Sequence, residues 1–142
     1  MNEFRKLDER TWVSPQITAA EVAQARSLGV KVIVNNRPEG ESPDQTPGEQ
    51  IEAAATAAGL AYAAIPIGHS GFSAPQIAAM GEIIARGETM LAYCRSGTRS
   101  TLLWALASAQ RGADPEALAK VAAGAGYSLD SIRPMMDMIR PR

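Results

Sequence analysis

Short apolar runs alternate along this chain with longer amphipathic stretches, and glycine closes most of the latter. Thr18 to Leu28 predicts a helix, because Thr18 and Glu21 form a T-x-x-E capping box and Gly29 follows as a stop. VKVIVN (residues 30–35) is short and β-branched, which predicts a buried strand. Thr46, Pro47 and Glu49 repeat the box before a helix that runs to Ala58, ahead of Gly59. LAYAAIPI (residues 60–67) predicts a second strand. Ser73 and Gln76 open a helix through Arg86, stopped by Gly87, and Met90 to Cys94 predicts a third strand. A helix from about Ser100 to Arg111 follows, then one opened by Asp114 and Pro115, and a last one over Leu129 to Ile139. Trp12 to Ser14 adds a further short strand.

Strands alternating with helices of ten or more residues predict an α/β fold: a three-layer arrangement with a parallel sheet, right-handed crossovers and helices on both faces. No repeat or linker interrupts the 142 residues, so residues 1–142 read as a single domain. One long polar stretch, RPEGESPDQTPG (residues 37–48), reads as a loop. Loops of that length in compact domains are more often functional than incidental.

Composition narrows the chemistry. A formal net charge of −1 gives no global attraction to nucleic acid or a membrane surface, so any anion site must be local. The charged N-terminus, MNEFRKLDER, lacks the apolar core of a secretory signal, and no run is long enough to span a bilayer, so the expected compartment is the cytoplasm. A single cysteine, Cys94, fits a reducing compartment and also a reactive thiol. With one histidine, His69, it offers no metal-ligand spacing, and no cofactor is implied.

Cys94 ends a predicted parallel strand, where open α/β sheets bind ligands. The sequence Cys94-Arg95-Ser96-Gly97-Thr98-Arg99-Ser100 links it to a helix. Gly97 permits a turn that aims successive N–H groups into one concavity at a helix N-terminus. Arg95 and Arg99 add charge suited to a tetrahedral oxyanion, and Ser96, Thr98 and Ser100 add hydroxyls. The same field stabilises a thiolate, so one loop supplies a nucleophile, Cys94, and an anion cradle led by Arg99. The competing view is a small buried hydrophobe at Cys94 and a solvated Arg95.

This loop resembles the active-site loop of rhodanese-type sulfurtransferases and the Cys-x5-Arg loop of protein tyrosine and dual-specificity phosphatases. Together with SPQITAAEV (residues 14–22), VIVNNRPEGESPDQ (residues 32–45) and AGLAYAAIPI (residues 58–67), it resembles the beta-lactamase-hydrolase-like protein, phosphatase-like domain family. The resemblance implies a dual-specificity-phosphatase-like fold. Family members carry both phosphatase and sulfur-transferase labels, and some are fused to a metallo-beta-lactamase-fold persulfide dioxygenase. The resemblance implies a separate persulfide dioxygenase as one candidate partner. Two departures from the phosphatase pattern stand out. Four residues, not five, separate Cys94 from Arg99, so Ser100 stands where the phosphatase arginine would. The loop expected to hold an aspartate acid reads GHSGF (residues 68–72).

The rim loop after Asn35 offers Arg37, Glu39, Glu41 and Asp44. Arg37 either binds an anion or pairs with Glu39. Asp44 is a further substrate-binding candidate, while Glu41 reads as solvated. Asn35 and Asn36 suit Asx turns that hold the loop. His69 is either a proton donor or a bystander. Trp104 and the methionines of PMMDMI and IAAMG read as core. Sequence alone puts sulfur transfer first: Cys94 takes sulfur from thiosulfate or a persulfide and passes it to a thiol acceptor. The alternatives are a phosphatase working through a phosphocysteine and a non-catalytic module that binds sulfate or phosphate.

Overall fold

The computed structural model describes residues 3–141. Five strands form one sheet: β1 (Arg5–Asp8), β2 (Thr11–Ser14), β3 (Val32–Asn35), β4 (Ala61–Ala64) and β5 (Met90–Tyr93). Their order is β1-β2-β5-β3-β4. β2, β5, β3 and β4 run parallel, as the alternating pattern predicts, while β1 pairs with β2 antiparallel. The sheet is therefore mixed. Three of the four side chains of β1 are exposed, and only Leu7 is buried. An edge strand that buries one residue leaves no apolar run to read, which is why it looks like a solvated terminus.

Helices α1 (Ala19–Ser27), α2 (Gly48–Ala57), α3 (Ala74–Ala85), α4 (Thr98–Gln110), α5 (Pro115–Gly124) and α6 (Arg133–Ile139) complete the domain. The capping boxes of Thr18 with Glu21 and of Ser73 with Gln76 are both formed. The third box is not. Pro47 caps α2 and makes no side-chain bond there, while Thr46 lies outside the helix. The predicted final helix divides into a 3-10 turn over Asp130–Ile132 and the shorter α6.

Strand alternation sorts the core into two layers. Ile33, Leu91 and Tyr93 face α1 and α2, whereas Val32, Val34, Met90 and Ala92 face α3, α4 and α6. Both clusters consist mainly of fully buried aliphatic side chains, each worth roughly 1.5–3 kcal/mol against exposure. Trp104 is core, as are Met80 and Met136. Met135 and Met138 are not: Met138 is 83% exposed on the outer side of α6.

Chain order carries β3 outward to β4 and brings β5 back between β3 and β2. The register aligns Ser14, Asn35 and Tyr93 at the carboxyl ends of the three central strands. The loops that follow these residues open at one edge, where α/β sheets bind ligands.

Candidate functional site

β5 ends at Tyr93, and Cys94 follows at 0% exposure. Its N–H donates to the Ser14 carbonyl at 3.4 Å, so the first loop residue still continues the sheet. Helix α4 begins at Thr98, two residues earlier than the sequence predicts, with Gly97 as its cap at φ +91°. Only glycine adopts that backbone without strain. The turn directs the Gly97 N–H onto the Cys94 sulfur at 3.1 Å. A backbone donor and a helix N-terminus thus meet at the thiol.

Arg99 comes to the same place from the first turn of α4. Its Nη1 donates to Glu41 Oε2 at 2.6 Å and to the Ile67 carbonyl at 2.7 Å, and its Nη2 donates to Glu41 Oε1 at 2.8 Å. Glu41 and the Ile67 carbonyl together take three of its five guanidinium hydrogens. The Glu41 hydrogen bond raises the Arg99 pKa. Burial opposes it, and the Cys94 sulfur adds to the rise through charge and hydrogen bonding.

Glu41 is the residue that sequence reasoning misplaces. It is 16% exposed and binds Arg99 and Arg37 together. The Arg99 hydrogen bond first, then that of Arg37, holds its carboxyl down at about 2 against the desolvation that burial brings. A polar loop residue carries no local mark of its distant partner, so only the length of the loop hints at such a role. Arg37, 5% exposed, pairs with Glu41 rather than Glu39. Its remaining bonds go to Gln16 Oε1 at 3.0 Å and Ser42 Oγ at 3.2 Å. That guanidinium is occupied in shaping the loop. Asp44 is exposed and accepts from Ser42 Oγ at 2.8 Å, a bond that lowers its pKa. Glu39 accepts from the Gly48 N–H at 2.9 Å. Asn35 makes the expected Asx turn with the Arg37 N–H, but Asn36 instead donates to the Ile65 carbonyl and ties two rim loops together.

Arg95 is exposed, and its guanidinium makes no hydrogen bond or ion pair among the described residues. It stands between two depressions. One, of about 520 Å³, is lined by Glu41, His69, Ser96 and Arg99 among others, and the second by Arg37, Ser42 and Asp44. His69 is exposed in the first. The hydroxyls of Ser96 and Thr98 bond each other at 3.0 Å, and the Ser100 hydroxyl is buried with no partner among the described residues. Tyr127, which no pattern around Cys94 singles out, donates to the Ser96 carbonyl at 3.1 Å. No three histidine, cysteine or acidic side chains gather for a metal ion, and no helix is long and apolar enough to cross a membrane, among the described residues.

Comparison with known proteins follows the same line. The family model described as beta-lactamase hydrolase-like protein, phosphatase-like domain, matches residues 3–111. A beta-lactamase hydrolase-like protein of Xylella fastidiosa is 37% identical over 101 residues, 70% of this chain and 23% of that protein. One from Agrobacterium fabrum is 33% identical over 108 residues, 75% of this chain and 25% of that protein. The chain thus spans about a quarter of the curated relatives it matches. Among solved structures, a candidate phosphatase from Neisseria meningitidis superposes with a TM-score of 0.84 at 32% identity, covering 99% of this chain and 100% of its own. Kinase associated phosphatase, with its catalytic cysteine replaced by serine, gives a TM-score of 0.74 at 14% identity, over 98% of this chain and 95% of its own. The latter speaks for the fold alone, a dual-specificity-phosphatase-like one.

Proposed function

Because the chain belongs to the beta-lactamase hydrolase-like protein, phosphatase-like domain family, we propose that it is a phosphatase-type enzyme that works through a Cys94 phosphocysteine. The observation that carries this reading is the Gly97 N–H on the buried Cys94 sulfur at 3.1 Å, with the Arg99 guanidinium held near it by Glu41. The Arg99 N–H groups not taken by Glu41 or the Ile67 carbonyl are the donors for oxygens of a phosphoryl group on that sulfur. The Cys94 thiolate attacks phosphorus, an S–P bond forms, and the ester P–O bond breaks. Water then cleaves the S–P bond, releasing inorganic phosphate and returning the thiol. The leaving alkoxide needs a proton. Glu41 does not supply it near neutral pH, since it is held as a carboxylate between two arginines. His69, exposed in the same cleft, takes that role.

A second reading keeps one specific observation in its favour. Glu39, Glu41 and Asp44 are all engaged as hydrogen-bond acceptors, so the rim loop offers no carboxylic acid. Sulfur transfer needs none: Cys94 would attack the outer sulfur of thiosulfate, sulfite would leave as a stable anion, and the persulfide would pass to a thiol acceptor. The short spacing between Cys94 and Arg99 suits the smaller adduct. Sequence alone puts this reading first, and the phosphatases among the solved neighbours support the reverse order. Turnover of an aryl phosphate measured beside thiocyanate formation from thiosulfate and cyanide tests the choice. Faster phosphate release, lost in Cys94→Ser, is expected. Thiocyanate formation without phosphate release overturns it.

A further inference from the structure

The Ser96–Gly97 peptide is held from both ends. Its N–H donates to the Cys94 sulfur at 3.1 Å, and its carbonyl accepts from the Tyr127 hydroxyl, also at 3.1 Å. In a trans peptide these two groups point in opposite directions, so a bond at the far end fixes the direction of the near one. Turning the unit over would aim a carbonyl oxygen at the sulfur and at any anion seated there. Gly97, at φ +91°, is the residue whose freedom makes such a turn inexpensive. Donation to the carbonyl also polarises the peptide and strengthens its N–H as a donor.

Tyr127 is itself fixed by local geometry. Helix α5 ends in a Schellman motif: Gly126, at φ +95°, donates to the Ala123 carbonyl at 3.0 Å and Tyr127 to the Ala122 carbonyl at 2.9 Å. That turn lays the Tyr127 ring into the core. Arg5 of β1 caps the same helix end through the Ala125 carbonyl at 2.8 Å, and its guanidinium lies 5.4 Å from the centre of the Tyr127 ring. The hydroxyl in turn fills the space beside Gly97, where a Cβ would collide with it. The segment that supplies this residue lies beyond residue 111, where the family model ends.

We infer that Tyr127 is a positioning residue of the Cys94 loop: its hydroxyl locks the Ser96–Gly97 peptide with the N–H facing the sulfur and the oxyanion seated on it. The inference rests on the cradle described above. Tyr127→Phe keeps the ring, its packing and the Arg5 contact, and removes only the lock. In the full chain, iodoacetamide labelling of Cys94 should then move to higher pH. Inorganic phosphate should bind about two- to tenfold more weakly, the range carried by one hydrogen bond. The thermal midpoint should fall by only a few degrees. Equal phosphate affinity and an unmoved labelling profile in Tyr127→Phe overturn the role of Tyr127, while a wild-type chain that binds no phosphate overturns the cradle instead. If the phenylalanine chain does not fold, hydrogen exchange in the wild type decides. A Gly97 amide as protected as the Thr101 amide supports the lock, and one exchanging as fast as exposed loop amides overturns it.

Discussion

Glu41 grips Arg99 through two hydrogen bonds, 2.6 and 2.8 Å long, from a loop 58 positions earlier in the chain. The same carboxylate takes Arg37 at 3.0 Å. One acidic side chain therefore orients the guanidinium beside Cys94 and offsets the charge of a second, buried one. A fork held in advance has less reorganisation to undergo when an oxyanion arrives.

Acid should undo this clamp in a defined window. The Glu41 carboxyl is held at about 2 in the folded chain, below its ordinary value of 4.5. A depressed folded value means that the stabilisation is complete above about pH 4.5 and fades as pH falls towards 2. The loss reaches at most about 3 kcal/mol, less what solvent screening removes. Glu41→Gln should lack this fall and should be less stable at neutral pH by about 1.5–3 kcal/mol, because two guanidinium groups lose a charged acceptor. Denaturant unfolding of both chains between pH 2 and 7 checks it. Parallel curves would mean that Glu41 does not clamp the site.

The two arginines of the loop should behave differently. Arg99→Ala should weaken phosphate or sulfate binding by about 1.5–3 kcal/mol, since it removes a charge-assisted fork next to the sulfur. Arg95→Ala should cost under about 1 kcal/mol, as is usual for an exposed charge. Calorimetric titration of both variants compares them, and equal losses would break the ranking.

Most of the fold and half of this site are legible in the sequence. Capped helices and β-branched strands carry local signals, so α1, α3, β3 and β5 lie within a few residues of their expected places. The Cys94 loop is legible because its residues are adjacent in sequence. Glu41, Gln16 and Tyr127 are not, because each acts through a partner far along the chain: Glu41 on Arg99, Gln16 on Arg37, Tyr127 on Ser96. Tyr127 had one local sign, the glycine before it at the end of α5. β1 leaves no apolar run to read, because an exposed edge strand needs only a single buried residue.

His69 should matter in proportion to the leaving group. His69→Ala should slow hydrolysis of an alkyl phosphate about 10²-fold or more, the usual worth of a positioned proton donor, and barely alter that of a nitrophenyl ester, whose leaving group needs no proton. Steady-state rates on the two esters decide the matter. Equal slowing, or none, removes His69 from the mechanism.

A phosphatase that works through Cys94 passes through a covalent phosphoryl adduct on that sulfur. Rapid acid quenching during aryl phosphate turnover, followed by intact-mass measurement and peptide mapping, tests it most directly. One phosphoryl group is expected on the peptide containing Cys94, accumulating before steady state and absent from Cys94→Ser. A chain that turns the ester over with no adduct on Cys94, or that gains only a sulfur atom from thiosulfate and never phosphate, contradicts it.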